Sequence, residues 1–401
     1  MLFFNINTQR YFISVNIILV LLFGSMPIHL FSQAPGCPDI QVDDQILDCN
    51  TTCVDLVANY PQTGATTTYD VDAISYSPPS SFNFGTSTIV GTDDIWGNTI
   101  DLPFNFCFFG NNYSQVVIGA NGVISFDVSN ANAFCEWLFS DIIPTNSGVP
   151  YTNSINGAYH DIDPSVGGSI KYSMQGSYPC RRFVVNYYNI PHFFCNEITT
   201  TQQIILYETT NIIEVYIQDK PTCAVWNSGN AVIGIQNSTG TIGFTPPNRN
   251  SGNWSASNEA WRFTPSGTPN YFIEWFDNTG ALLGVGDILS VCPTIETNYT
   301  AEITYTDCNG SIVTETATNT VFIQDSTSNT SNITACDSYL WGINGSIYTT
   351  SGTYIDISTN TLGCTQIDTL ILTIVSSTSN VTTLTECDSY IWPIDGNTYT
   401  T

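Results

Sequence analysis

The sequence predicts an all-β, multi-domain chain: β-sandwich modules in tandem, closed by a truncated C-terminal repeat. Three observations carry this. Apolar residues alternate, or run in short blocks bounded by Gly, Pro, Asn and Asp, with almost no 3.6-residue periodicity. Charged residues are only 10% of the chain, while Thr, Ser, Asn and aromatics abound; that is a β surface, not a disordered acidic tail. Finally, Cys336-Asp337-Ser338-Tyr339-Leu340-Trp341 returns as Cys387-Asp388-Ser389-Tyr390-Ile391-Trp392, an offset of 51. Units of this period joined by Ser/Thr linkers form arrays of small modules.

Residues 1–34 read as a secretory signal. Arg10 supplies the positive start, Tyr11 to Phe23 the apolar core, and Ser32-Gln33-Ala34 the small residues for cleavage. No later segment reaches membrane-spanning length. The chain has 7 Lys+Arg against 34 Asp+Glu. It lacks the positive patch that phosphate contacts require, so nucleic acid is excluded as a partner. An anionic membrane surface would repel it, while divalent cations would be attracted. All 13 cysteines follow the signal, and in an exported chain they are expected in disulfides.

Residues 35–80 read as a separate N-terminal Cys-containing β section with Cys37, Cys49 and Cys53; the spacing of Cys49 and Cys53 permits a bridge across a tight turn. Ser77 to Ser81, with its Pro-Pro, reads as a connector. Residues 95–264 carry the densest run of strands. Val116 to Ala120, Asn121-Gly122 and Val123 to Phe126 form a hairpin signal, because Asn-Gly takes the positive φ angles of a two-residue type I′ turn. Ile204 to Tyr207 and Ile212 to Ile217 are apolar on both faces, as central covered strands are. Residues 268–324 read as an Ig/PKD-like β-sandwich, with Tyr299 at a tyrosine-corner position and a Cys292–Cys308 bridge across its late strand. Residues 326–376 are the first repeat, with Cys336 expected to pair with Cys364, and 377–401 the truncated second. By the repeat offset the partner of Cys387 falls past Thr401, so Cys387 is expected unpaired.

At residues 95–264 the motifs carry a family likeness. Asn121-Gly122-Val123-Ile124-Ser125-Phe126 precedes Tyr159-His160-Asp161-Ile162-Asp163 and Gly168-Ser169-Ile170-Lys171-Tyr172. Arg182 to Tyr187, Gln203 to Leu206 and Ala231 to Ile235 follow in order. This succession resembles the nidogen-type (NIDO) extracellular domain. The whole arrangement, with its Ig/PKD-like module and C-D-S-Y-x-W repeats, resembles large type IX-secreted, adhesin-like surface proteins of gliding bacteria. The resemblance implies a secreted or cell-surface location.

Motifs for catalysis are scarce. After the signal only His160 and His192 remain, and there is no H-E-x-x-H, G-x-S-x-G or phosphate-binding loop. His160 beside Asp161 and Asp163 suggests a general base or a metal cluster; the plainer reading has Asp161-Ile162-Asp163-Pro164 ending a strand and capping a turn. A calcium ion at Asp161 and Asp163 would need further oxygen ligands from other loops. His192 reads as a packed histidine. Cys107, Cys135, Cys180, Cys195 and Cys223 form no C-x-x-C pair, so disulfides are expected rather than zinc, with their connectivity and that of Cys37 open. Trp226, Arg249 and Trp254 lie in Asn/Ser/Gly-rich loops and are the ligand-contact candidates; Trp254 is equally able to fold back as a lid. The expected function is non-catalytic adhesion or matrix interaction with an extracellular protein or polysaccharide, with no required cofactor. The alternative is a polysaccharide-active hydrolase or carbohydrate-binding subunit, since a glycosidase needs only two carboxylates.

Overall fold

The computed structural model describes residues 36–88 and 91–400; the signal expected at 1–34 lies outside them. No α-helix occurs among the described residues, and none of their helices is long and apolar enough to cross a membrane. The chain is all-β.

Two antiparallel sheets form the largest sandwich. One has seven strands, in the order Tyr69–Ala73, Ala256–Pro265, Ile213–Lys220, Cys195–Tyr207, Arg182–His192, Ser169–Gln175 and Thr86–Ser87. The other has six: Gly243–Phe244, Val232–Gln236, Ser154–Tyr159, Val123–Ser125, Asn111–Ile118 and Ile100–Phe108. Alternate residues of both sheets meet in one core, with Phe106, Phe108, Ile124 and Ile155 facing Phe183, Val185, Ile204, Leu206 and Val215.

The blocks that are apolar on both faces are covered on both faces. Val184, Ile205 and Tyr216 point away from this core and are capped by Phe82, Ile74 and Tyr76. The expected connector around Pro78-Pro79 is therefore a strap across the outer sheet face, tied down by Asn186 Nδ2 donating to Phe84 O at 2.8 Å. The six-stranded sheet is covered in the same way, with Trp96, Phe139 and Ile143 over Val117, Val123 and Val232.

The hairpin at Asn121-Gly122 forms, but with a three-residue loop. Gly119 N donates to Val123 O, and of the turn residues only Gly122 has a positive φ, +88°. A two-residue type I′ turn needs positive φ at both central positions. A Cβ on Gly122 would also meet Ala158 O at 2.5 Å.

The separate N-terminal section does not exist as such. Gln45–Leu47 pairs in parallel with Ile312–Ile323, and Val54–Val57 pairs with Ile288–Val291. Tyr69–Ala73 instead joins the seven-stranded sheet. Leu47, Leu56 and Ala58 complete a second core with Ile273, Trp275, Ile303, Tyr305 and Val321. That second sandwich has a five-stranded sheet ordered Gln45–Leu47, Ile312–Ile323, Thr297–Thr306, Tyr271–Asp277 and Leu282–Val285. The first sandwich is thus inserted between early and late strands of the second. Tyr299 is buried in this core, but the tyrosine hydroxyl that reaches distant backbone is Tyr305, donating to Pro61 O at 2.9 Å.

The first repeat has a three-stranded sheet, Thr327–Cys336, Thr365–Val375 and Gly352–Thr359, over a hairpin of Tyr339–Trp341 and Ser346–Tyr348. Trp341, Leu370 and Leu372 are its small core. The hairpin recurs in the second repeat: Tyr339 pairs with Tyr348, and Tyr390 with Tyr399.

Five disulfides join Cys37–Cys180, Cys49–Cys364, Cys53–Cys292, Cys107–Cys308 and Cys195–Cys223. Cys135, Cys336 and Cys387 are free. The expected pairs Cys49–Cys53, Cys292–Cys308 and Cys336–Cys364 are all overturned. Cys292 and Cys308 flank the ten-residue strand Thr297–Thr306, whose length of roughly 33 Å holds them apart. Cys336 ends the Thr327–Cys336 strand while Cys364 precedes its parallel neighbour, so the two lie at opposite ends of a ten-rung ladder. A disulfide needs Cα atoms within about 7 Å.

Candidate functional site

One pole of the large sandwich gathers most of the chain's unusual side chains. The turn at Asp93 and Asp94 leads into Trp96, whose backbone bridges Gly119 at the hairpin end. Asn121, fully buried, is the keystone. Its Nδ2 donates to Asp94 Oδ1 at 2.9 Å and to Cys135 O at 3.0 Å, and its Oδ1 accepts from Ile162 N at 3.1 Å. Three separate loops are tied together through this one amide.

Asp161 is 6% exposed. One of its carboxylate oxygens, Oδ2, accepts from Trp226 Nε1 at 2.6 Å; the other has no hydrogen-bond partner, and neither has Oδ1 of Asp93. Carboxylate oxygens of Asp93, Asp94 and Asp161 all lie within 4.8 Å of one another. Burial and the neighbouring acids push Asp161 up to about 7 and Asp93 up to about 6, and burial also raises Asp94. Asp163 Oδ1 caps the following turn, accepting from Ser165 N at 2.8 Å and from its hydroxyl at 2.5 Å, while the converging carboxylates are those of Asp93, Asp94 and Asp161.

The two histidines are buried against each other. His160 Nδ1 faces Ala158 O at 2.9 Å and so carries the proton; its Nε2 lies 3.3 Å from His192 Nε2 and 3.0 Å from Thr200 Oγ1. Burial holds His160 well below its ordinary value and His192 down to about 4. Both are neutral at pH 7 and are packed together with Thr200, whose Oγ1 lies 2.8 Å from His192 Nε2.

Outside the carboxylates lies an aromatic rim. Trp226 packs on Trp137 at 5.3 Å, Phe193 at 4.8 Å and Phe194 at 5.6 Å between ring centroids. Phe194 and Val225 are exposed. The Cys195–Cys223 disulfide pins the loops that carry Phe193, Phe194 and Trp226. No zinc cluster exists here: four of the five cysteines of this region are bridged, and Cys135 is buried, its thiol pushed up to about 12.

The other contact candidates are placed elsewhere. Trp254 folds back as a lid, 9% exposed, with Nε1 donating to Ala231 O at 2.9 Å. Arg249 lies over its ring and pairs with Glu259. Asp93, Asp94 and Asn121 were not foreseen as site residues. Their only sequence signal is an Asp pair before a Trp and an Asn read as turn-forming; the partner, Asp161, lies far along the chain.

No curated protein matches the chain. The family model described as NIDO related matches residues 66–269, just over half the chain and the same span as the large sandwich. That domain type and the five disulfides are those of an extracellular modular protein. With this match over the sandwich that bears the aromatic rim and the acidic pole, the chain belongs to the NIDO-related family.

Proposed function

We propose that this is a non-catalytic secreted or cell-surface protein of adhesion or matrix type, recognising its ligand at the aromatic rim. The second sandwich supplies an Ig/PKD-like module and the C-D-S-Y-x-W units a spacer, as in type IX-secreted surface proteins. The observation that carries the reading is the disulfide-pinned group of Trp226, Phe193 and Phe194, with Phe194 two-thirds exposed. Rings held rigid at a surface bind sugar faces or protein side chains at small entropic cost. The net charge of −27 selects against polyanions and favours neutral or cationic polymers. Weak contacts of this kind gain strength when many copies share one surface.

A panel of neutral, cationic and anionic polysaccharides, with release of reducing ends measured on each, tests this. Binding without turnover, weakened by Phe194→Ala and absent for the anionic polymers, supports it. The close Asp93 and Asp161 carboxylates favour the hydrolase reading. Turnover that disappears in Asp93→Asn would establish it and overturn the adhesive one.

A further inference from the structure

The buried acids of the large sandwich fall into two kinds. Glu214, fully buried, accepts from Tyr207 Oη at 2.7 Å, Tyr216 Oη at 3.0 Å and Arg262 Nε at 2.8 Å. Glu208 and Glu259 are each paired with an arginine. These carboxylates are compensated in the ordinary way.

Asp93, Asp94 and Asp161 are not. Three carboxylates converge, and two of their buried oxygens lack any hydrogen-bond donor. The cations among the described residues are committed elsewhere. Arg181, Arg249 and Arg262 pair with glutamates, Lys220 donates to Trp254 O, and Lys171 and Arg182 bind Asn83 and Gln175. Three carboxylates this close, half-buried to buried, can all be ionised together only when a positive charge sits among them.

We propose that Asp93, Asp94 and Asp161 bind a calcium-class divalent cation. Their oxygens lie within 4.8 Å of one another, which is about twice a calcium–oxygen bond of roughly 2.4 Å, so one ion reaches all three. All-oxygen donors of high charge are the ligands of a hard cation. Asn121 steadies one ligand from behind, its Nδ2 donating to Asp94 Oδ1. The ion also orients the rim, because the second oxygen of Asp161 holds the Trp226 indole. This last consequence rests on the rim being the binding surface; the ion itself does not.

Terbium(III) is the probe. It takes calcium sites and emits when a neighbouring indole is excited, and Trp226 touches a ligand. The full chain, stripped with chelator, should show one saturable sensitised emission, displaced by calcium, together with a calcium-dependent rise in melting temperature. Asp161→Asn and Asp93→Asn should each weaken binding at least tenfold. Without calcium, both should melt no lower than the parent, because the substitution removes repulsion. Trp226→Phe should keep the calcium-dependent rise and lose part of the emission, Trp137 beside Asp94 being a second indole donor. Should Asp161→Asn fail to fold, Asp93→Asn, on a half-buried turn, decides alone. No saturable emission and no calcium-dependent melting would overturn the proposal, as would binding unchanged in Asp93→Asn. Polymer binding lost with the ion site intact would instead overturn the reading of the rim.

Discussion

Replacing Cys364 by Ser tests the disulfide map where it departs most from a self-contained module. Cys49–Cys364 spans 315 residues. That full span is not the loop it closes, because Cys53–Cys292 already joins the two regions. From Cys49 to Cys53 and from Cys292 to Cys364 the effective loop is about 76 residues, for which the chain-entropy model gives about 4–5 kcal/mol at 25 °C. The first repeat has little with which to offset such a loss: its fully packed core is Trp341, Leu370 and Leu372. At about 1–2 kcal/mol per M of urea for a unit this small, its midpoint should fall by about 2–5 M. The assay is urea unfolding followed by proteolysis between residues 326 and 376, with thiols counted under denaturing conditions. The parent should show three free thiols, Cys135, Cys336 and Cys387, and the variant a fourth, at Cys49. An unchanged midpoint, or a new thiol at Cys336 instead of Cys49, would refute the reasoning.

Two further outcomes are expected. Lys220 is buried with its amine pushed down to about 7 by burial and by Arg249. The folded state therefore sheds this proton before the unfolded state does, and this group should add up to about 4–5 kcal/mol of stability as pH climbs from 7 towards 10, opposed above the ordinary thiol range by buried Cys135; Lys220→Met should lose that contribution, and slopes equal to the parent's in denaturant titrations would count against it. Deleting residues 37–60 removes Leu47, Leu56 and Ala58 from the second core, so residues 270–324 should become protease-sensitive while 66–269 survives; continued protection of 270–324 would show that the inserted arrangement is wrong.

What could be read from the sequence was local. The hairpin between Val116 and Phe126 was legible because apolar alternation and an Asn-Gly pair lie within eleven residues. Its loop size was not, because Asn121 spends its amide on Asp94, Cys135 and Ile162 rather than on the turn. The disulfides were misread for a related reason. Cysteines that flank a strand look paired in a linear sequence, yet the strand holds them a strand-length apart. Gln45–Leu47 and Val54–Val57 carry the alternation of strands but nothing that names a neighbour more than two hundred residues away. The acidic site was invisible for the same reason. Asp161 was singled out, while Asp93 and Asp94 reach it only through the fold.

The parallel pairing of Thr327–Cys336 with Thr365–Val375 has a mechanical consequence. Tension between the large sandwich and a point beyond residue 375 pulls the first strand from its N-terminal end and the second from its C-terminal end. In a parallel pair those pulls are in shear, so all ten rungs are loaded together instead of being unzipped one by one. Behind them the Cys49–Cys364 bond carries the same load covalently, straight into the strand Gln45–Leu47 and its sheet. Between that bond and residue 375 the chain is already an extended strand, with almost no slack to pay out. While oxidised, this joint resists stretching with bonds rather than with folding; once reduced, it resists only as long as its ladder holds.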